Sequence, residues 1–237
     1  MADANAPTKV DVLRALKDAF GYRSYLENTT TMTGGRYREA HDIGWARCNR
    51  IVYRHVGAMY DDLSVDFSAP DEDISQCLDS ICAQKLQFDV ALVDAHHTYH
   101  CADRDLRELY RLVRRGGAVV MHDCWPRDDQ IISPTFTPGN WCGVSYKAYL
   151  DFVLGNPFLD YFTLDADYGC GVILKSTSLP RHAENIGRAI LQAPLAQRWH
   201  AIGSNYGDAY DFLGAHSKSL LRLGDWPSRE RRLAAGL

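Results

Sequence analysis

The sequence predicts an α/β protein built on a parallel sheet, because two buried strands are joined by a helix. Residues 88–94 and 118–123 are almost continuously apolar, as strands covered on both faces should be. Between them, a helical stripe is formed by Leu106, Leu109, Tyr110 and Val113, and Gly116 and Gly117 follow as the helix end. A strand, a helix and a strand within about 30 residues form a crossover unit whose strands are parallel.

The segments before this unit are predicted to alternate between helix and strand. Apolar residues at helical spacing predict a helix over residues 9–20, within an N-terminal helical region 1–21, and Gly21 suits its C-cap. The other predicted elements, in chain order, are strands at 25–27, 51–53 and 63–67, with a turn-rich loop at 29–35, and a helix at 74–82.

The segments after the unit begin with a long loop. Residues 124–142 contain three prolines and one glycine, which are too many breakers for a helix. A long loop that follows a strand's carboxyl end is typical of a substrate lid. The remaining predicted elements are a helix at 144–154, a hairpin of 161–164 and 171–175, and a mainly helical C-terminal extension at 180–237. We expect one domain over residues 1–237.

Composition places the chain among globular proteins. The 237 residues are 46% hydrophobic and 24% charged, which excludes a disordered, collagen-like or coiled-coil chain. A net charge of −4 argues against a general nucleic-acid binder. No apolar run approaches the roughly 20 residues of a membrane span, and the N-terminus shows no signal-peptide pattern. The seven cysteines form no Cys-x-x-Cys pair. We therefore expect a cytoplasmic protein with a small-molecule partner and without nucleic-acid or membrane partners, with a homo-oligomer left open.

Both buried strands end in an acid, at Asp94 and Asp123. Ligands of open α/β sheets collect outside the carboxyl ends of the strands, so these two carboxylates are expected on the working edge of the sheet. Asp94 could instead cap the following helix, but the repeated placement favours a functional site. His122 precedes Asp123, and a mixed set of one histidine and two acids suits Mg²⁺ or Mn²⁺.

The run VDAHHTYHCADRDLRELYRLVRRGGAVVMHDCWP, followed by Trp141, Lys147 and DADYGCGVI, resembles one group of class I S-adenosylmethionine-dependent methyltransferases. Their pattern is an apolar strand, Asp-Gly-x-His-x-Tyr, a helix with Asp-Leu, Gly-Gly, an apolar strand and His-Asp. The group includes enzymes that look like the macrolide-sugar O-methyltransferases and the cephamycin-pathway methyltransferase. The similarity extends from Phe88 to Ile173. It implies a Rossmann-like, mostly parallel sheet of seven strands with helices on both faces and an antiparallel last strand.

The resemblance also implies roles for single residues. His97 matches the histidine of the family pattern, and an imidazole suits a general base near neutral pH; Asp94 is expected to be catalytic beside it. In the similar enzymes an acid triad holds Mg²⁺, and its counterparts here are Asp94, His122 and Asp123, with His122 in place of an acid. S-adenosylmethionine is expected near Glu27, Gly34, Gly35, Ser68 and Asp94.

Four further residues of the pattern have less specific expectations. Tyr99 and Asp105 both match it, and Asp105 is expected to orient a neighbour or cap its helix. Trp141 and Lys147 either line a substrate pocket or serve as loop packing and a solvated charge.

The cofactor loop departs from the family pattern. The family normally shows Glu-x-Gly and a glycine-rich loop after the first strand, whereas here Glu27 is followed by Asn and Thr, and glycines come only at Gly34 and Gly35. The acid that usually ends the second strand has no clear counterpart, and Asp61 or Asp62 could serve only in a longer strand. Two hypotheses follow. The chain is a methyltransferase acting on oxygen of a small hydroxylated molecule, with or without a divalent metal, or it is a non-catalytic methyltransferase-like binding or partner module.

Overall fold

A mixed sheet forms the centre of the computed structural model, which describes residues 6–29, 35–54, 67–70, 74–94, 96–226 and 228. In chain order its strands are β1 Ser24–Thr29, β2 Arg47–Arg54, β3 Phe67–Pro70, β4 Phe88–Asp94, β5 Val113–Met121, β6 Asp160–Leu164, β7 Cys170–Leu174 and β8 Leu223–Gly224. Their spatial order is β3-β2-β1-β4-β5-β7-β6-β8.

The strand directions confirm the predicted α/β, Rossmann-like class. Strands β1 to β5 are parallel where they pair, and β7 runs antiparallel to both β5 and β6. The seventh strand is thus the antiparallel one, as the resemblance implies. The two-residue β8 is an unpredicted addition, and it pairs in parallel with the end of β6.

Helices cover both faces of the sheet. They are α1 Lys9–Phe20, α2 Gly35–His41, α3 Ser75–Ala83, α4 Tyr99–Leu112, α5 Ser145–Leu154, α6 Leu179–Ile202 and α7 Tyr206–Leu220. Alternate residues of β4 enter different cores: Ala91 and Val93 pack in the cluster that holds α4 and α5, while Val90 and Leu92 pack in the cluster that holds α1. The near-continuous apolar character of β4 follows from this two-sided burial.

The N-terminal helix agrees with its prediction. It begins after Thr8, whose backbone N–H donates to an Asp11 carboxylate oxygen at 2.9 Å. Gly21 ends it in the left-handed conformation, with φ 64°, which glycine adopts without steric cost. The start of α1 lies at the carboxyl edge of the sheet, where its first residue contacts the site described below.

The boundaries of the crossover unit differ from the prediction. Helix α4 ends at Leu112, so Val113 belongs to β5, where it pairs with Phe88. The predicted helix end at Gly116 and Gly117 was wrong, because both lie within β5. A Cβ at Gly117 would stand 2.4 Å from the Asp89 carbonyl oxygen. Close backbone approach inside the sheet therefore explains this glycine.

The carboxyl end of β5 is also earlier than predicted. The strand ends at Met121, and His122 and Asp123 follow it. Asp123 has a left-handed backbone, with φ 59°, a conformation that aspartate tolerates better than most residues. The chain therefore turns sharply directly after β5, at the two residues His122 and Asp123.

The other predicted elements are found with shifted ends. The strand predicted at 51–53 is the longer β2, and the helices predicted at 74–82 and 144–154 are α3 and α5. Only Phe67 of the strand predicted at 63–67 lies within the described residues, where it begins β3. Residues 124–142 contain a single short 3₁₀ turn, Asp129–Ile131. No described helix combines the length and apolarity needed to cross a membrane.

Candidate active site

The two predicted strand-end acids lie together around His122. Asp94 is the last residue of β4, and Asp123 follows β5 by two residues. The His122 Nδ1 atom lies 3.2 Å from Asp94 Oδ1 and 3.2 Å from Asp123 Oδ1. All three side chains are buried, the most exposed at 11%. The parallel strands therefore bring these groups to one edge, as the sequence predicts.

His97 joins this cluster from the loop between β4 and α4. Its Nδ1 lies 3.1 Å from Asp123 Oδ2 and 3.1 Å from the Ser145 hydroxyl at the start of α5. The hydrogen bond of Nδ1 is with the Ser145 hydroxyl, and the Asp123 carboxylate lies at ion-pair distance from the same nitrogen. A carboxylate at this distance favours a proton on Nδ1 and leaves Nε2 as the proton acceptor. The pair therefore has the contacts expected of a general base and its orienting acid.

The backbone around His97 is tightly packed. Val144 N–H donates to the His97 carbonyl oxygen at 2.8 Å. Gly143, with φ 54°, approaches so closely that a Cβ would lie 2.2 Å from that same oxygen. The Trp141 ring packs edge-on against both His96 and His97, at 5.3 Å between centroids. Trp141, at the end of the 124–142 loop, and the two residues Gly143 and Val144 after it therefore hold His97 in place.

Lys9 provides a cation that sequence reasoning missed. Its Nζ donates to Asp94 Oδ2, and its backbone N–H donates to Asp167 Oδ2 at 3.2 Å. Asp167 lies in the β6–β7 hairpin, and its Oδ2 is 3.5 Å from His122 Nε2. Three carboxylates thus surround two basic groups, and the N-terminal helix closes one side of the cluster.

Neighbouring charges keep the cluster ionised. Burial alone would raise the pKa of Asp94, but the positive charges of Lys9 and His122 hold that pKa well below its usual range. Burial also opposes charge on His122, yet Asp123 and Asp94 raise its pKa well above the usual value. The pKa of Asp167 falls to about 2, because contact with His122 outweighs the effect of burial. The group is preorganised by its own ion pairs.

Asn28 and Asp105 position Asp94 through a chain of two hydrogen bonds. Asp105 is fully buried on α4, and it accepts from Asn28 Nδ2 at 2.7 Å and from Arg104. Asn28 Oδ1 in turn accepts the backbone N–H of Asp94 at 3.2 Å. Of the two expectations for Asp105, the structure supports the orienting role.

Glu27 lies on the neighbouring strand β1 and is only 3% exposed. Burial raises its pKa to about 8, the Asp94 charge adds to this rise, and the hydrogen bond from Tyr25, at 2.6 Å, opposes it. The charges of Lys9 and Arg50 lower this pKa but do not cancel the effect of burial. Glu27 is therefore a suitable place for a ligand's cationic group.

The other predicted cofactor residues are only partly covered by the structure. Gly34 lies outside the described residues, as do Asp61 and Asp62. Gly35 is the first residue of α2, and Ser68 stands in β3 opposite Val52.

Lys147 and Tyr99 belong to a packing network. The Lys147 ammonium lies 2.6 Å from Asp151 Oδ2, and the same oxygen accepts from the Tyr99 hydroxyl at 2.8 Å. Trp199 Nε1 donates to the other Asp151 oxygen at 2.7 Å. These contacts tie α4, α5 and α6 together. Lys147 is only 4% exposed, so it is a buried ion-pair partner and not the solvated charge that was one of its two interpretations, while Trp141 borders the site.

One group of three side chains within the described residues could coordinate a metal ion. Asp94, His97 and Asp123 each offer a ligand atom, and these atoms lie within 4.8 Å of one another. The predicted set was Asp94, His122 and Asp123. Both acids are common to the two sets, and the third ligand differs.

Four residues of the cluster were missed by sequence reasoning: Lys9, Asn28, Ser145 and Asp167. Asp167 had a usable signal, because its hairpin turn leads out of the same sheet edge as Asp94 and Asp123. Lys9 had none, since it reads as the first polar residue of an amphipathic helix.

Comparisons with known proteins agree with this architecture. Residues 13–124 match the family model described as a methyltransferase domain. No curated protein matches the sequence. An O-methyltransferase from Bacillus cereus, solved in complex with SAH, is 16% identical, with 74% of this chain and 84% of that chain covered and a TM-score of 0.50.

Two other solved structures have comparable similarity. A candidate caffeoyl-CoA O-methyltransferase from Staphylococcus aureus is 15% identical, with 70% of this chain and 82% of that chain covered and a TM-score of 0.51. The MycE methyltransferase of the mycinamycin biosynthetic pathway, solved with Mg, SAH and mycinamycin VI, is 17% identical, with 69% and 48% covered and a TM-score of 0.45. Residues 13–124 thus match a methyltransferase domain, and the chain shares its Rossmann-like fold with these solved O-methyltransferases.

Proposed function

We propose that this chain transfers a methyl group from S-adenosylmethionine to a hydroxyl oxygen of a small molecule, with His97 as the general base. The observation that carries the proposal is the 3.1 Å contact between His97 Nδ1 and Asp123 Oδ2 at the carboxyl edge of the sheet. Asp123 would keep the proton on Nδ1, so Nε2 could accept the proton of the acceptor hydroxyl. Such an oriented base is what oxygen methylation requires.

Asp94 and Glu27 would hold the cationic part of the cofactor. Both carboxyl groups are on adjacent strands, β1 and β4, and the charge of Asp94 raises the pKa of Glu27. S-adenosylmethionine carries a sulfonium and an ammonium group, and it supplies the methyl group when bound. The raised pKa of Glu27 supports the fit, because a cation beside it would offset the cost of burying its charge. Gly34, Gly35 and Ser68 stay predictions for the rest of the cofactor.

Positioning would supply much of the rate. Methyl transfer needs the acceptor oxygen in line with the sulfonium methyl, and fixed geometry of this kind contributes strongly to catalysis. Gly143 and Val144 fix the backbone of His97, and Trp141 packs on its ring. The 124–142 loop would therefore act as the substrate lid predicted from the sequence.

A divalent ion, Mg²⁺ or Mn²⁺, is a separable part of the proposal. Asp94 and Asp123 would hold it together with His122, as predicted from the sequence, or with His97, whose ligand atom lies within 4.8 Å of theirs. A bound ion would lower the pKa of the acceptor hydroxyl and orient it. It would have to compete with Lys9, whose ammonium already contacts Asp94. With His122 as the third ligand, the base function of His97 does not depend on the ion, whereas coordination by His97 would exclude that function because one ring nitrogen would hold the metal and the other the proton.

Several sequence predictions accompany the proposal. We propose a small-molecule acceptor, a cytoplasmic location and a single domain over 1–237 with a helical C-terminal extension. The absence of nucleic-acid partners stays a prediction that binding measurements test. A homo-oligomer stays open, and size-exclusion chromatography tests it.

Calorimetry with S-adenosylmethionine and S-adenosylhomocysteine tests cofactor binding, and transfer of labelled methyl to a panel of phenols, catechols and sugars tests the reaction. We expect binding by the parent and loss of binding by Asp94→Asn. His97→Ala should bind cofactor but transfer poorly, whereas His100→Ala, an exposed histidine three residues away, should behave as the parent. Absence of binding at millimolar cofactor would favour the non-catalytic module instead.

A further inference from the structure

A second concave region lies beside the C-terminal helices. It has a volume of about 720 Å³ and is walled by α6, the beginning of β6 and the turn between α7 and β8. Asp160 begins β6 and Leu174 ends β7, so this cleft lies at the opposite end of these strands from the hairpin that carries Asp167. Ligand pockets commonly have volumes of this size.

The cleft contains a buried donor without an acceptor. Asn185 is 2% exposed, and its Oδ1 accepts from Arg222 Nη1 at 3.4 Å. This contact sets the orientation of the amide. The other amide atom, Nδ2, is buried and has no hydrogen-bond partner within the part of the chain that the structure describes. Buried donors in folded proteins are normally paired, and leaving one unpaired is costly. An acceptor atom of a ligand would satisfy it.

The charges of the lining favour an anion. Four basic side chains line the cleft, namely Arg181, Arg188, Lys218 and Arg222, against the two acids Asp160 and Glu184. Each acid is already paired, since Arg181 Nη1 lies 3.1 Å from Asp160 Oδ2 and Arg188 contacts Glu184. Lys218 is exposed and forms no ion pair with any described residue. A concave surface with a positive excess concentrates anions.

Apolar groups complete the lining. Leu191 is 83% exposed beside the cleft, and Leu195 and Phe162 also line it. The Arg222 guanidinium lies over the Tyr161 ring, 3.9 Å from its centroid. Arg222 itself has φ 50°, a left-handed conformation that is uncommon for arginine and concentrates at functional sites. The lining therefore offers contacts to an apolar body as well as to a charge.

We propose that this cleft binds a small organic anion, with a carboxylate or phosphate that accepts from Asn185 Nδ2 and pairs with Lys218 and Arg188, and an apolar body that lies against Leu191 and Leu195. This site is separate from the strand-end site, so the proposal goes beyond methyl transfer and does not depend on it.

The experiment uses four probes that share one apolar body, titrated into the full-length protein by calorimetry: 1-naphthoate, 1-naphthyl phosphate, 1-naphthylmethanol and 1-naphthylmethylamine. We expect saturable binding of at least one anion, with the neutral and cationic probes at least about tenfold weaker. Comparison of the two anions shows which anionic group the site prefers. Lys218→Met and Arg188→Gln should each weaken anion binding by about tenfold, the usual effect of losing one charge-assisted contact.

Three controls localise the effect. Arg198→Gln removes an exposed charge from the same helix outside the cleft and should leave anion binding unchanged. Asn185→Leu should weaken binding, with its fold checked by circular dichroism. Asp94→Asn, at the strand-end site, should bind the anion as the parent does.

Three results would overturn the proposal. They are the absence of saturable binding of either anion at probe concentrations up to about 10 mM, binding of the neutral or cationic probe as tight as that of the anions, and anion affinity unchanged in both Lys218→Met and Arg188→Gln. Failure of cofactor binding at the strand ends would leave it standing.

Discussion

Charged side chains cluster both at the carboxyl edge of the sheet and in the cleft beside α6, but the two regions differ in how these charges are paired. At the carboxyl edge, Asp94 contacts Lys9 while His122 lies among three carboxylates, and none of these side chains is more than 16% exposed. In the cleft, each acid has its own arginine and Lys218 is left at the surface. The first region is thus preorganised by internal ion pairs, as a catalytic site should be. The second keeps a positive excess for a ligand.

The largest expected effect comes from removing the base at the preorganised edge. His97→Ala should slow methyl transfer by about 10²- to 10⁴-fold, the usual contribution of a positioned general base. Steady-state rates with any acceptor found active give the measurement, with His100→Ala as the matched control. A His97→Ala enzyme within twofold of the parent would remove His97 from the reaction.

Displacing His97 without touching its ring should have the next largest effect. Gly143→Ala places a Cβ 2.2 Å from the His97 carbonyl oxygen at a positive φ, so the backbone must shift. Misplacement of a catalytic group by about 1 Å can cost about 10²-fold in rate. Gly139→Ala is the control, because Gly139 also has a positive φ but nothing lies within 4 Å of its added Cβ. Equal rates in the two variants would contradict the positioning role.

Breaking the ion pair at the buried edge tests preorganisation directly. Lys9→Met leaves the Asp94 carboxylate without its closest cation, and loss of one partner of a buried pair costs about 3 kcal/mol in the free energy of unfolding. Urea denaturation gives the measurement. Arg14→Gln, which breaks an exposed pair with Asp11 on the same helix, should change stability by less than about 1 kcal/mol. The double variant Lys9→Met/Asp94→Asn should recover part of the loss, and a Lys9→Met protein as stable as Arg14→Gln would show that the pair contributes little.

The smallest effect is a pH dependence at Glu27. Its folded-state pKa of about 8 is above the unfolded value, so the folded state binds the extra proton. The resulting stability is fully present below about pH 4.5 and is lost as pH rises through 8. The free energy of unfolding, relative to Glu27→Gln, should therefore fall by about 2 kcal/mol between pH 6 and pH 8 in the cofactor-free protein. Parallel profiles for the two proteins would mean that Glu27 is already charged.

Cofactor affinity should depend on pH in the opposite direction to stability if Glu27 holds the ligand's ammonium group. The charged carboxylate is then the binding form, so affinity should rise with pH up to about 8 and protons should be released on binding. Calorimetry in buffers of different ionisation enthalpy counts those protons. Glu27→Gln should show weaker binding without proton release.

The sequence by itself determined the βαβ unit and the meeting of Asp94 with Asp123. Strands β4 and β5 are continuous apolar runs, and the intervening helix has a clear apolar stripe, so each element follows from its local pattern. The topology of a crossover then places both strand ends at one edge without further information. Local patterns were less informative at boundaries. Val113 fits a helical stripe and a buried strand equally well, and pairing with Phe88 decides for the strand.

Only the tertiary structure decided which groups compensate the strand-end acids. Lys9 lies 85 positions from Asp94 in the chain, and Asn28 is 66 positions from it, so their contacts depend on how α1 and β1 dock against β4. The same holds for the cleft, where Asn185 and Arg222 meet across 37 positions. Hydrophobic periodicity records which face of an element is buried, but it does not record which distant polar side chain shares that burial. A buried charge is costly unless an opposite charge or a hydrogen-bonding group lies beside it. Which residue lies beside it depends on how the elements pack, and not on separation along the sequence.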